Sequence, residues 1–229
     1  MKSLNKDRTP ENQIDTVLFD FDGTLVDTNE LILNSWMYAI EKLTDRKADP
    51  DEVMRTYGEV LSDSMNKLLP EVSAEVAIET YRAYQKDKYL SSIKLYDGAE
   101  PVLKRLKEKG FKTAVVTSRL KVSTMLGLEH FGLTEYFDAI VTANDIENHK
   151  PSPEPLQTAL AEIGGIPEKA VMVGDTKHDI CAAKNAGVIS VLVDYSVALP
   201  VEKRDGANPD IIIESLCDIL ALLGANLKN

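Results

Sequence analysis

Cysteine is scarce in this 229-residue chain, and the shortage excludes two classes of fold. Only Cys181 and Cys217 are present, and neither sits in a metal-ligand spacing. A thiolate metal site and a disulfide-stapled scaffold are therefore ruled out, and two unpaired thiols suit a reducing cytosol. Positive charge is short as well. The 26 Lys and Arg stand against 37 Asp and Glu, for a formal net charge of −11. Such a chain has no electrostatic footprint for nucleic acid. An anion can still bind locally where a metal and a few basic residues reverse the sign. No apolar run approaches the roughly 20 residues that a membrane span needs. The segment Met1–Asn12 is polar, with no apolar stretch of the signal-peptide kind, so no signal peptide is expected. There is no internal repeat and no low-complexity tract. A soluble, cytoplasmic protein without nucleic-acid or membrane partners is the expectation.

What is present is an ordinary globular composition, 44% apolar and 28% charged, long enough for one sizeable core or a core with a small inserted domain. Thr16–Asp20 is short, apolar and β-branched and ends in an acid, which predicts a buried strand feeding a loop. Residues 30–94 differ from the rest. Glu30–Leu43, Pro50–Tyr57, Ser62–Leu69 and Ala74–Tyr89 show helical spacing with little strand signal, and predict an all-helical unit. After Asp97, strands at 112–116, 139–141, 170–173, 190–193 and 211–213 alternate with helices of about ten residues. That alternation predicts βαβ units and a parallel sheet. The expected architecture is an α/β, Rossmann-like core formed by residues 1–28 and 95–229, interrupted after its first strand by a helical domain at 29–94. In open α/β sheets the ligand sits beyond the carboxyl ends of the strands, so those ends carry the candidate site.

Strand one is followed by Asp20-Phe21-Asp22-Gly23-Thr24-Leu25-Val26-Asp27. Two carboxylates two residues apart would repel in one cavity, and a divalent cation would remove that penalty. Gly23 permits a tight turn there. A cap and turn would favour the same residue types. Strand two ends in Thr117-Ser118, hydroxyls suited either to a phosphoryl oxygen or to capping the next helix. Strand three is followed by Lys150 before Pro151, an ammonium on a restricted backbone that would sit beside a phosphate or beside Asp20, or simply in solvent. Strand four is followed by Gly174-Asp175-Thr176-Lys177-His178-Asp179. Its two acids fit the oxygen ligands that Mg²⁺ prefers, and they equally fit the first turn of a helix. Together the four ends hold a nucleophilic carboxylate, an acid/base, anion donors, a cation and metal ligands, the set that phosphoryl transfer requires.

These residues resemble the four motifs of the haloacid dehalogenase-like hydrolases, in order and over nearly the whole chain from about Thr16. Asp20–Asp27 matches the DxDGTLxD pattern, Thr117 and Lys150 the second and third motifs, and Gly174–Asp179 the GDxxxD form of the fourth. The resemblance implies that Asp20 is the nucleophile and forms an aspartyl phosphate, and that Asp22 is the general acid and base. It implies that Mg²⁺ sits on Asp20, the backbone carbonyl of Asp22, and Asp175, with Asp179 behind them. Gly23, Thr117, Ser118 and Lys150 would cradle the phosphoryl group. The helical insertion is similar to the cap that closes over the site in one branch of the family.

The implied substrate is a small phosphorylated metabolite and the implied assembly a monomer or homodimer. Asp27–Ile32 and Tyr81–Tyr84 resemble the bacterial PpaX pyrophosphatases, with phosphoglycolate phosphatases nearly as similar. The alternative is a phosphosugar mutase of the β-phosphoglucomutase kind, which uses a cap histidine. The stretch Asn29–Met37 has none, and His130, His149 and His178 all lie outside the insertion. Phosphonatases use a cap lysine, and Lys42, Lys47 and Lys67 sit in no recognisable pattern for it. Arg55, Lys67 and Arg82 are candidates to meet a distal substrate charge if they face the core; otherwise they are solvated helix residues.

Overall fold

The computed structural model describes residues 14–196 and 208–225; Met1–Asn12 lies outside them. In chain order the elements are β1 (Thr16–Phe19), β2 (Val26–Asp27), α1 (Asn29–Leu43), α2 (Pro50–Met54), α3 (Leu61–Leu68), α4 (Ala74–Lys86), α5 (Tyr89–Ser92) and β3 (Lys94–Leu95). There follow α6 (Ala99–Glu108), β4 (Lys112–Val116), α7 (Lys121–His130), β5 (Ala139–Val141), α8 (Glu154–Ile163), β6 (Ala170–Gly174), α9 (Lys177–Asn185), β7 (Ile189–Val193), β8 (Ile211–Ile213) and α10 (Asp218–Leu222).

The main sheet has six strands in the order β5-β4-β1-β6-β7-β8, and every neighbouring pair is parallel. All four residues of β1 are buried. A strand covered on both faces has no polar alternation to show, which is why it reads as a continuous apolar run. Successive side chains still point to opposite faces. Val17 and Phe19 join one core cluster with Val102, Leu103 and Leu106 of α6 and Ile219 of α10. Leu18 joins the other, with Leu156 of α8 and Ala182 of α9. The sheet is thus covered by helices on both sides, the expected α/β arrangement.

Helices α1 to α4 bury a third cluster of their own, including Trp36, Ile40, Val53, Met65, Leu68 and Tyr81. The chain runs to and from these helices through β2 and β3, which pair antiparallel with Val26 opposite Leu95 and Asp27 opposite Lys94. This two-residue pairing is too short to leave a period in the sequence. Two helices are also shorter than their patterns suggest. The first, expected to reach Tyr57, ends at Met54, because the following residues turn across the site and Tyr57 Oη donates to the Asn29 carbonyl at 3.1 Å. The second, expected to reach Tyr89, ends at Lys86, because Tyr89 turns toward the sheet and donates to the Ser123 carbonyl at 2.8 Å.

Phe19 is fully buried and meets Phe137 edge-on, with ring centroids 6.4 Å apart. Phe19→Ala is expected to lower unfolding free energy by about 3–5 kcal/mol. Urea denaturation measures this, and a loss below about 1 kcal/mol would mean that the sheet collapses around the cavity.

Candidate active site

β1 lies between β4 and β6, with Phe19 opposite Val115 on one side and Val173 on the other. The chain leaves β1 for β4 and β5 and later returns to the other side for β6, so the strand order reverses at β1. This is the switch point where a crevice opens. Register brings Asp20, Thr117 and Asp175 to that point. A cavity of about 160 Å³ opens there, and Asp20, Asp22, Thr117, Ser118, Lys150 and Asp175 all line it. Side chains spread over 156 positions of sequence therefore meet in one place.

Lys150 is the centre of the arrangement. Its Nζ donates to Asp20 Oδ1 at 2.9 Å, to Asp179 Oδ1 at 2.6 Å and to the Val116 carbonyl at 3.1 Å. The second oxygen of Asp179 accepts from the backbone N and the hydroxyl of Thr176 at 3.0 and 2.7 Å. Asp179 thus closes a capping box on α9 while it holds Lys150, so the capping and functional uses of this acid coexist. Gly174 makes the approach feasible: a Cβ there would lie 2.4 Å from Asp179 Cβ. Neither Thr117 nor Ser118 caps α7, whose N-cap is Leu120. Thr117 Oγ1 instead accepts from Arg119 N at 3.1 Å, and its own hydrogen remains to be donated.

Burial pushes the Asp20 carboxyl well above its usual range; Lys150 opposes this, and Asp179, Asp175 and Asp22 add to it. Burial works against the Lys150 ammonium too, but Asp179 and Asp20 outweigh it and hold it protonated. The asymmetry has a simple cause: one ammonium serves two carboxylates at once. Asp20, Asp22, Asp175 and Asp179 outnumber Lys150 and Arg119 here, so the cluster is short of positive charge. Asp20, Asp175 and Asp179 each offer an oxygen within 4.8 Å of the others. An all-oxygen set of this kind suits a hard cation such as Mg²⁺. Asp179 is already committed to Lys150 and Thr176, which leaves Asp20 and Asp175 as the side chains best placed for an ion. Gly23 borders them with φ +74°, and a Cβ there would lie 2.1 Å from Asp175 Oδ2. The cradle closes only around a residue without a side chain.

Asp22 is turned the other way. Its Oδ1 accepts from Thr28 Oγ1 at 2.6 Å and from Arg119 Nη1 at 2.9 Å. Arg119 is absent from the residues singled out in the sequence, since a lone arginine in a loop normally reads as solvated. Its position between a strand-end hydroxyl pair and a helix was the available signal. The helical unit supplies the opposite wall, with Trp36, Tyr57, Tyr81 and Gln85 among the lining residues. Arg55, Lys67 and Arg82 do not line the cavity. Lys67 is exposed and pairs with Glu59 at 2.7 Å, and Arg82 lines a separate surface groove with Glu75 and Glu79.

The haloacid dehalogenase-like hydrolase family model matches residues 17–193. The chain belongs to that family. It is 39% identical to the pyrophosphatase PpaX of Halalkalibacterium halodurans over 216 residues, 94% of this chain and all of that protein. It is 35% identical to the PpaX of Bacillus pumilus, over 94% of this chain and 99% of that one. Among solved structures, a predicted phosphatase from Clostridium acetobutylicum superposes with a TM-score of 0.80 at 32% identity, covering 90% of this chain and 96% of its own. This family member is a hydrolase with an α/β core. No helix among the described residues is long and apolar enough to cross a membrane.

Because Asp20 holds its proton more tightly than an unfolded aspartate, its carboxylate weighs against folding; the penalty is full above its raised pKa, shrinks as pH falls through that pKa, and is gone below the ordinary carboxylate value. Asp20→Asn is therefore expected to raise the melting temperature of metal-free protein at about pH 8, with a smaller gain at about pH 5. Calorimetry in EDTA decides; a lower melting temperature for the variant at the higher pH would mean that the Lys150 pairing outweighs burial.

Proposed function

We propose that this chain is a Mg²⁺-dependent phosphatase that passes a phosphoryl group from a small phosphorylated metabolite to Asp20 and then to water, with pyrophosphate the first substrate to test. The observation that carries this reading is the split between the two acids of the first motif. Asp20 is held by Lys150 within the carboxylate cluster, whereas Asp22 is held by Thr28 and Arg119 facing the cavity from the other side. One acid suits attack on phosphorus and the other suits proton transfer to the group that leaves.

In the first step an Asp20 oxygen bonds to phosphorus, the bond from phosphorus to the leaving oxygen breaks, and Asp22 gives that oxygen a proton. In the second, the Asp22 carboxylate takes a proton from water, the water oxygen bonds to phosphorus, and the Asp20–phosphorus bond breaks. Phosphate leaves and both acids return to their starting states. The Thr117 hydroxyl donates to a phosphoryl oxygen, the Lys150 ammonium beside it offsets the phosphoryl charge, and Gly23 and Ser118 shape the floor beside them. Asp20, Asp175 and the backbone carbonyl of Asp22 would hold Mg²⁺, with Asp179 fixing Lys150 behind them. When bound, the ion offsets the surplus carboxylate charge and draws charge from the phosphoryl oxygens. Residues 29–94 act as a cap that closes the site to bulk solvent and leaves Asp22 to direct the one water that reacts.

The names of the PpaX relatives favour pyrophosphate over phosphoglycolate. No histidine lines the cavity, so nothing favours a mutase. The two cysteines form no disulfide, in keeping with a cytosolic enzyme, here taken as a monomer or homodimer.

Phosphate release, with Mg²⁺ and with EDTA, on pyrophosphate, phosphoglycolate, sugar phosphates and nucleotides tests the reading. Asp20→Asn is expected to abolish release with the fold retained. Thr117→Ala is expected to lower kcat by about 100- to 1,000-fold, as for loss of one oxyanion donor. Full turnover by Asp20→Asn would overturn the mechanism.

A further inference from the structure

Two buried donors on the cavity wall have no acceptor. Arg119 Nε and Gln85 Nε2 are both buried with no acceptor at hydrogen-bonding distance, although Arg119 lies beside the Tyr89 hydroxyl and Gln85 beside the Tyr81 hydroxyl. One comes from the loop after β4 and the other from α4, and both residues line the same cavity. A buried N–H left without an acceptor is costly, and native proteins rarely tolerate it unless something else supplies the acceptor.

The side of the cavity on which they lie is fixed by Asp22. Arg119 Nη1 is bonded to Asp22, not to Asp20 or the carboxylate cluster. Lys150 and Thr117 stand on the side of the transferred phosphoryl group; Arg119 stands beside the acid that protonates what departs. Its side chain is 9% exposed, and its guanidinium carbon lies 4.6 Å from the Tyr89 ring centroid. Tyr89 is itself anchored through its hydroxyl to Ser123. With one face on an aromatic ring and one nitrogen on Asp22, the guanidinium is held in a single orientation. Burial alone would lower its pKa, but Asp22 and the neighbouring tyrosines carry it above the usual value, so it stays cationic. Among the lining residues, Arg119 and Lys150 are the only Lys or Arg. The basic residues of the helical unit, which would be the obvious anchors for a second charge, lie elsewhere.

From this geometry we infer that Arg119 and Gln85 form a leaving-group subsite that selects phosphorylated substrates whose leaving group carries an anionic oxygen of its own, a phosphate or a carboxylate. Arg119 donates through Nε to that oxygen while Nη1 keeps Asp22 in place, and Gln85 donates from the opposite wall. The inference rests on the phosphatase reading above and adds which residues of this chain recognise the leaving group. Trp36 and Tyr81 limit the remaining space, so the leaving group is compact.

The test is kcat/KM with Mg²⁺ for pyrophosphate and for phosphoglycolate, compared with p-nitrophenyl phosphate, whose leaving group carries neither phosphate nor carboxylate. Gln85→Leu removes one donor. Arg119→Lys keeps a charge beside Asp22 and loses the fork. Each variant is expected to lower the ratio of kcat/KM for the preferred anionic substrate to that for p-nitrophenyl phosphate by about tenfold or more, with KM carrying the change in Gln85→Leu. Preference for pyrophosphate identifies a phosphate in the subsite, and preference for phosphoglycolate a carboxylate. Equal losses on all three substrates would overturn the inference and leave Arg119 as a positioning residue for Asp22. If Arg119→Lys fails to fold, Gln85→Leu decides alone. Silence of the unmodified enzyme on all three would overturn the phosphatase reading. The subsite would then stand or fall on calorimetry of pyrophosphate binding, with Gln85→Leu expected to weaken it about tenfold.

Discussion

A lysine ammonium enclosed by two carboxylates at the end of a parallel sheet is the interaction on which this structure depends. Lys150 bonds at once to the loop after β1, through Asp20, to the end of β4, through the Val116 carbonyl, and to the first turn of α9, through Asp179. Three segments distant in sequence are tied to one nitrogen. Burying a charge this thoroughly is costly unless every donor is used, and here all three are. Asp179 is held in turn by the N-cap residue of its own helix, so the position of Lys150 derives from the way α9 begins. The glycine that ends β6 lets that acid approach.

The same cluster sets the two acids of the first motif apart. Four acids in a small volume cannot all face one point without a cation among them. The fold separates them instead. Asp20 and Asp175 stay together, Asp179 is neutralised from behind by Lys150, and Asp22 is drawn aside by a threonine hydroxyl and a guanidinium. The helical unit over the site adds shape, neutral polar groups and one acid, Glu59, which pairs with Lys67, and the positive charge on the cavity wall comes from the sheet side.

Much of this was legible in the sequence, for identifiable reasons. β1 and β6 are buried on both faces, so their apolar runs are unbroken, and acids placed directly after such runs stand out. The helical unit was legible from the spacing in α1 and α4. Arg119 was not, because nothing in a local pattern distinguishes a guanidinium held by Asp22, 97 residues away, from one in solvent. The ends of α2 and α4 were missed for a similar reason. Helical spacing continues past both, and long-range bonds from Tyr57 and Tyr89 take over where local preference would have carried on. The basic residues of the helical unit were legible as charges but not as directions, and they turn away from the cavity.

The pairing of β2 with β3 has a consequence for how such a chain can change. The two strands carry the chain out of the sheet layer and back, and Val26 faces Leu95 across the pair. Residues opposed in an antiparallel pair sit about 5 Å apart, a gap that a two-residue turn can close. Everything between them hangs from a single stem. The stem could therefore accept a shorter, longer or unrelated insert without moving β1, β4 or β6 in register. The helical unit and the sheet can vary independently, and a lineage can exchange one while inheriting the other unchanged.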